Sequence, residues 1–246
     1  MNRLTVDIKE KAFNNVDTEV TFTAIKNLQL ELSNNEFICI VGPSGCGKTT
    51  LLNIIAGLDL NFDGSIQLND EDNSDIKTSF VFQTPRLLPW RTVLENIQLA
   101  HNDEISLSSI TDLLRHLGLS DNIYSFPQHL SLGMQRRVAL ARAFSVPSNI
   151  LLMDEPFVSL DQPTARKARQ LLLNLWQAEP RNVIFVTHDL NEAIELADRV
   201  LFLSESPSSV IADIPVDIPR EKRNAKAIEI FTAKIQHSHQ QLTHLI

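Results

Sequence analysis

Short apolar runs punctuate the chain and set its plan. Phe37-Ile38-Cys39-Ile40-Val41, Ser79-Phe80-Val81-Phe82, Ile150-Leu151-Leu152-Met153, Val183-Ile184-Phe185-Val186 and Val200-Leu201-Phe202-Leu203 are brief and almost continuously apolar. Strands covered on both faces read this way, which predicts a largely parallel sheet flanked by helices. Residues 1–32 differ: Leu4, Val6 and Ile8 alternate with polar positions, and Val20, Phe22, Ala24, Leu28 and Leu30 continue the theme. Alternation of this kind belongs to strands with one solvated face and predicts an antiparallel β layer at the amino terminus. Between about 84 and 148 the period changes to three and four, through Val93, Leu94 and Ile97, then Ile110, Leu113, Leu114 and Leu117, then Val138, Ala139, Ala141 and Arg142. No strand pattern interrupts it, so a helical subdomain inserted in an α/β core is expected. A weaker helical stripe, Ala225, Ile228, Ile230, Phe231, Ile235 and Leu242, falls in a short tail over about 219–246. Nothing reads as a linker, and residues 1–246 are expected to form a single domain.

Composition narrows the function classes. With 43 % hydrophobic and 21 % charged residues the 246-residue chain is ordinary globular protein, neither fibrous nor disordered. Thirty acidic against 22 basic residues give a formal charge of -8. That balance argues against a sequence-independent nucleic-acid binder, whose affinity would come from neutralising phosphates. Cys39 and Cys46 sit too close together for an obvious disulfide framework and point to free thiols in a reducing compartment. The start of the chain has no secretory pattern, and no run approaches the ~18 apolar residues of a membrane helix. Any membrane role is therefore expected to work through a partner.

Glycine is scarce, and its placement is informative. Only seven occur, at 42, 45, 47, 57, 64, 118 and 133, against the roughly 7 % of an average chain. Three of them lie in Gly42-Pro43-Ser44-Gly45-Cys46-Gly47-Lys48-Thr49, which fits G-x-x-x-x-G-K-[ST] between an apolar strand and a helical pattern beginning near Thr50. Such a loop brings backbone N–H groups close to phosphate oxygens at the positive end of a helix. Lys48 is placed to reach the β- and γ-phosphates and the Thr49 hydroxyl to bind Mg²⁺. A second element, Ile150 to Met153 followed by Asp154-Glu155-Pro156, ends an apolar strand in two carboxylates. Asp154 suits the Mg²⁺ side of a phosphoryl-transfer site and Glu155 the polarisation of the attacking water. A plain glycine turn or a solvated strand end would explain either motif alone, whereas their joint occurrence points to nucleotide chemistry. Gly64, after Asp63, reads as part of an Asp-Gly turn, and Gly118 as a helix end.

The stretch Leu130-Ser131-Leu132-Gly133-Met134-Gln135-Arg136-Arg137-Val138-Ala139-Leu140-Ala141-Arg142-Ala143 resembles the signature motif of ATP-binding cassette (ABC) proteins. The resemblance covers roughly residues 2–222 and implies a P-loop ATPase fold. It implies that Gly42 to Thr50 bind ATP, that Ser131, Leu132, Gly133 and Met134 face nucleotide held by a second copy, and that Asp161 belongs to the D-loop. Gln83 matches the Q-loop residue, which senses Mg²⁺ and lytic water, and His188 the switch histidine at the γ-phosphate. Phe13 falls at the adenine-stacking position, with Phe22 as a rival and core packing open for both.

Two departures stand out. Asn35 replaces a family glycine, which Asn tolerates, and Leu132 replaces the first signature glycine, where an isobutyl group could narrow the trans site. The run Thr84-Pro85-Arg86-Leu87-Leu88-Pro89-Trp90-Arg91-Thr92-Val93-Leu94-Glu95-Asn96-Ile97, with Asp154-Glu155-Pro156-Phe157 and Ile218-Pro219-Arg220, is similar to the nitrate, taurine and aliphatic-sulfonate importer subfamily. The resemblance implies ATP and Mg²⁺ as cofactors, a homodimer, transmembrane permease subunits docked near Arg86 to Trp90, and an indirect solute-binding protein outside the membrane. The chain would sit at the cytoplasmic face of the cell membrane, without nucleic acid. The alternative is a nucleotide-binding regulatory or half-site subunit whose signature is impaired at Leu132.

Overall fold

The computed structural model describes residues 3–14, 21–69, 71–72, 76–101, 106–239 and 242. They fall into two compact units, one drawn from Met1–Ile76 with Arg181–Ile246 and the other from Lys77–Pro180.

In the first unit, β1 (Leu4–Asn14) and β2 (Thr21–Leu32) form an antiparallel pair in which Leu4, Val6 and Ile8 face Leu32, Leu30 and Leu28. These six are buried, so the alternation read from the sequence is the inner face of a sheet. Val20 lies outside the described residues. The sheet is wider than the pattern foretold, because β4 (Asp63–Leu68) adds to the other edge of β1 and β5 (Glu71–Asp72) to β4. Here the expected Asp63-Gly64 turn is corrected: Gly64 is a strand residue paired with Ile8, at φ 143°. A Cβ there would lie 2.1 Å from the Asp7 carbonyl oxygen, so only glycine lets the two strands close.

The second sheet of this unit runs β10-β9-β3-β8. The strand β3 (Phe37–Val41) pairs in parallel with β8 (Asn182–Thr187) and with β9 (Arg199–Leu203), while β10 (Val210–Pro215) closes antiparallel on β9. Every residue of β3 and β8 is buried, as continuous apolar runs require. The two sheets are tied where Ser208 N donates to Ala24 O at 2.9 Å and Lys26 N to Ser208 O at 3.0 Å. Around this frame lie α1 (Lys48–Ile55), α6 (Leu190–Leu196) and α7 (Ala225–Ser238), the last burying Ile228, Phe231 and Ile235 of the predicted stripe.

In the second unit, β6 (Thr78–Val81) and β7 (Ile150–Asp154) pair in parallel. Between them come α2 (Val93–Gln98), α3 (Leu107–His116) and α4 (Leu132–Ser145), and α5 (Gln162–Ala178) follows β7. No strand occurs among the described residues from 84 to 148. Val93, Ile97, Ile110, Leu114, Leu117, Val138 and Ala141 share one buried cluster, so the three helical stripes are faces of a common core. A single polar side chain organises its edge. Asn96, buried in α2, accepts from Leu88 N at 2.7 Å and donates to the carbonyls of Leu88, Arg91 and Thr92.

Candidate functional site

The first unit carries the phosphate-loop sequence. The buried strand β3 delivers the chain at Gly42, where a Cβ would lie 3.1 Å from both Cys46 Sγ and Leu203 Cβ. Gly45 (φ 78°) and Gly47 (φ 102°) then hold the left-handed conformation that bends the loop into α1. Gly47 is the N-cap of α1 and supplies no side chain to it, so the helix presents first-turn amides that no capping side chain claims. The Lys48 ammonium is buried within the loop and donates to the Gly42 and Pro43 carbonyls at 2.7 and 2.8 Å. Burial pushes the Cys46 thiol above its ordinary range, with Lys48 opposing. Ser44 and Thr49 are exposed, while Pro43 and Thr50 are half-buried. Ser206, which the motif reading missed, donates its hydroxyl to Gly45 O at 3.2 Å.

His188 stands exposed just past β8. Both neighbours are anchored: Thr187 Oγ1 donates to Glu192 Oε2 at 2.6 Å, and Asp189 Oδ1 caps α6 by accepting from Asn191 N and Glu192 N. Phe13 and Phe22 are directly opposite partners in the β1–β2 ladder and are 44 % and 51 % exposed. The rivals therefore share one face of the hairpin, and Lys11 Nζ lies 4.5 Å from the Phe13 ring centre.

The second unit carries the carboxylates and the signature. Asp154 ends β7 and is buried, and Glu155 follows half-buried with φ 40°. That conformation is costly for a residue with a Cβ and holds only where its surroundings dictate it. Gln83 is exposed two residues past β6. Ser131 caps α4, its Oγ accepting from Met134 N at 3.3 Å, and Leu132 is the first residue of the helix at 42 % exposure. Gly133 is close-packed, since a Cβ would stand 3.0 Å from Thr164 Cγ2. Met134 packs on the helical core. Asp161 is the N-cap of α5, and its hydrogen bonds from Thr164 hold its carboxyl below the usual range. Ser131, Gly133, Ser159 and Asp161 line one cavity of about 540 Å³ together with Arg137 and Lys167. The signature and D-loop positions therefore converge on one concave surface within this unit.

The sequence profile described as ABC transporter matches residues 25–158, more than half of the chain. The chain belongs to the ABC transporter family. This ABC cassette is 38 % identical over 216 residues to the aliphatic sulfonates import ATP-binding protein SsuB of Bacillus cereus, covering 85 % of this chain and 86 % of that one. It is 37 % identical over 225 residues to the Bacillus subtilis protein of the same name, covering 89 % and 88 %. An uncharacterized ABC transporter ATP-binding protein of Methanocaldococcus jannaschii is 39 % identical over 220 residues, 84 % of this chain and 80 % of its own. Among solved structures, a dimeric ATP-binding cassette in a post-hydrolysis state bound to ADP and Pi superposes with a TM-score of 0.76 at 30 % identity, covering 88 % of this chain and all of that one. The α/β P-loop ATPase fold and its antiparallel layer are those of ABC cassettes. No helix among the described residues is long and apolar enough to cross a membrane.

Proposed function

We propose that this ABC cassette is the ATP-hydrolysing subunit of an importer for a small anion such as a sulfonate, taurine or nitrate. The phosphate loop carries the reading: Gly45 and Gly47 bend the backbone around Lys48 and leave the amino-terminal end of α1 without a capping side chain. In this reading Gly42 to Thr50 cradle the phosphates, Lys48 turns from the Gly42 and Pro43 carbonyls to the β- and γ-phosphate oxygens, and Phe13 stacks on adenine. Mg²⁺ prefers hard oxygen ligands, one or two from protein and the rest from phosphate and water. The Thr49 hydroxyl of the first unit and, in the second, the buried Asp154 carboxylate and the Gln83 amide are each of the ligand type that the ion prefers, and bound Mg²⁺ would neutralise charge developing on the phosphates.

Glu155 accepts a proton from the lytic water as its oxygen bonds to the γ-phosphorus. The bond from that phosphorus to the β–γ bridging oxygen breaks, and ADP leaves with the electron pair. His188, exposed beyond β8, donates to the γ-phosphate oxygens. A second copy supplies Ser131 to Met134 and Asp161 to the same nucleotide. The solved relative's dimeric form with ADP and Pi supports that pairing. The names of the Bacillus relatives support an import role and a permease partner, and the half-buried to exposed Leu87, Leu88, Pro89 and Trp90 are the docking edge.

The Lys48→Ala variant tests the core of this reading. Steady-state ATPase assays should show turnover reduced by at least ~100-fold, and wild-type rates would refute the assignment of the loop. Solute and partner are tested by co-purifying the chain with its permease and binding protein and measuring which anion stimulates hydrolysis.

A further inference from the structure

Three arginines of α4 leave the helix in different directions, and each ends on the backbone of another loop. Arg136, buried, donates to the carbonyl of Pro156. Arg137 donates to Leu117 O at 2.8 Å, and its Nε to Gly133 O at 3.4 Å. Arg142 donates to both Pro85 O and Arg86 O at 2.9 Å. At 100° per residue, positions 136 and 142 point to well-separated sides of the helix, so one rigid element grips two loops at once.

Those two loops are the ones that carry Glu155 and Gln83, and they share an unusual feature. Each contains a residue with a side chain held at positive φ: Glu155 at 40° and Arg86 at 45°. Conformations of this kind relax unless neighbours fix them. Arg142 binds the carbonyl of the strained Arg86 itself, and Arg136 binds the carbonyl of the residue following Glu155. The Arg86 guanidinium in turn lies 3.7 Å over the Phe82 ring, next to Gln83. At its other end α4 starts with Ser131 and Gly133, about 16 Å of helix before Arg142.

We infer that α4 is a rod that couples the signature end of this chain to the same chain's own Glu155 and Gln83, with Arg136 and Arg142 as the positioning residues at its grips. The inference rests on the proposed ATPase function. Nucleotide of the second copy seated at Ser131 to Gly133 fixes the pitch of α4, and the two arginines carry that pitch to the loops that hold the general base and the Q-loop glutamine.

A double-mutant cycle on the full chain tests the coupling, using Ser131→Ala, Arg142→Met and their combination in steady-state ATPase assays. Arg142→Met should lower kcat about tenfold with KM for ATP within about twofold of wild type, since the phosphate loop is untouched. The double variant should be no slower than the slower single, because a rod cut at either end transmits nothing. Multiplicative losses in the double variant would overturn the rod, as would a loss confined to KM. Arg142→Lys keeps a donor to the loop and should recover turnover to within about threefold of wild type. The same cycle run with it remains informative if the methionine variant fails to fold, with non-additivity supporting the rod and additivity overturning it. Failure of the underlying reading looks different: a wild-type chain that hydrolyses no ATP, indistinguishable from Lys48→Ala.

Discussion

Leu132 occupies the first position of α4, 42 % exposed, with the Ser131 cap on Met134 intact beside it. The departure from the family's glycine therefore leaves the local fold whole. A helical side chain leans toward the amino terminus of its helix, which lays the isobutyl group over the end where the second copy's phosphate is proposed to sit. Leu132→Gly should raise kcat/KM for ATP by about threefold or more while leaving the melting temperature within about 3 °C of wild type. An unchanged ATPase rate would show that the trans site accommodates leucine. At this scale the sequence names candidates wherever chemistry needs fixed residue types at fixed spacing, as in Gly42 to Thr49 and in Asp154-Glu155. The backbone contacts of Arg136, Arg142, Asn96 and Ser206 were not legible, because all four act on backbone carbonyls or amides. A carbonyl has no letter in the sequence, and only the fold shows which ones converge.

The elements divide in the same way. The strands β3, β7 and β8 were readable because burial on both faces demands uninterrupted apolar residues. The strands β4 and β10 were not: Asp63–Leu68 is largely exposed and Val210–Pro215 holds no fully buried residue, so neither carries a run or a clean alternation. The loop ahead of α2 shows what an unpatterned segment can hide. Asn96 satisfies the backbone of Leu88, Arg91 and Thr92 from a fully enclosed position. Asn96→Ala strands those groups and should cost about 2–4 kcal/mol in urea unfolding. The neighbouring capping box adds a pH signature. Hydrogen bonds from the Thr92 N–H and hydroxyl hold the Glu95 carboxyl below its usual range, so its contribution is present above the unfolded value of about 4.5 and is lost as pH falls through the lower folded one. Thr92→Ala keeps the N–H donor and should remove only the hydroxyl's share of that effect, read as a shallower decline of melting temperature as pH falls below about 4.5.

Across the whole molecule, both thiols and the proposed pairing give measurements independent of any transported solute. Cys39 lies inside β3, where burial raises its thiol well above the ordinary value, and Cys46 is buried in the phosphate loop. A buried protonated thiol is a poor nucleophile, so an aromatic disulfide reagent at pH 8 should modify neither in the native chain and both after denaturation. The pairing is tested most directly at Glu155. Replacing its carboxylate by an amide removes the proposed proton acceptor without altering size, and the loop proposed to bind ATP belongs to a different segment. Glu155→Gln should therefore keep nucleotide affinity within about threefold and lose turnover by at least ~100-fold. Trapped with uncleaved ATP and Mg²⁺, it should pass from the 27.7 kDa monomer to twice that mass in size-exclusion chromatography with light scattering. Adding Ser131→Ala should return it to the monomer, because the second copy's contact with the γ-phosphate is then missing. A dimer that forms equally well without ATP, or survives Ser131→Ala, would mean that the two copies meet through some other surface.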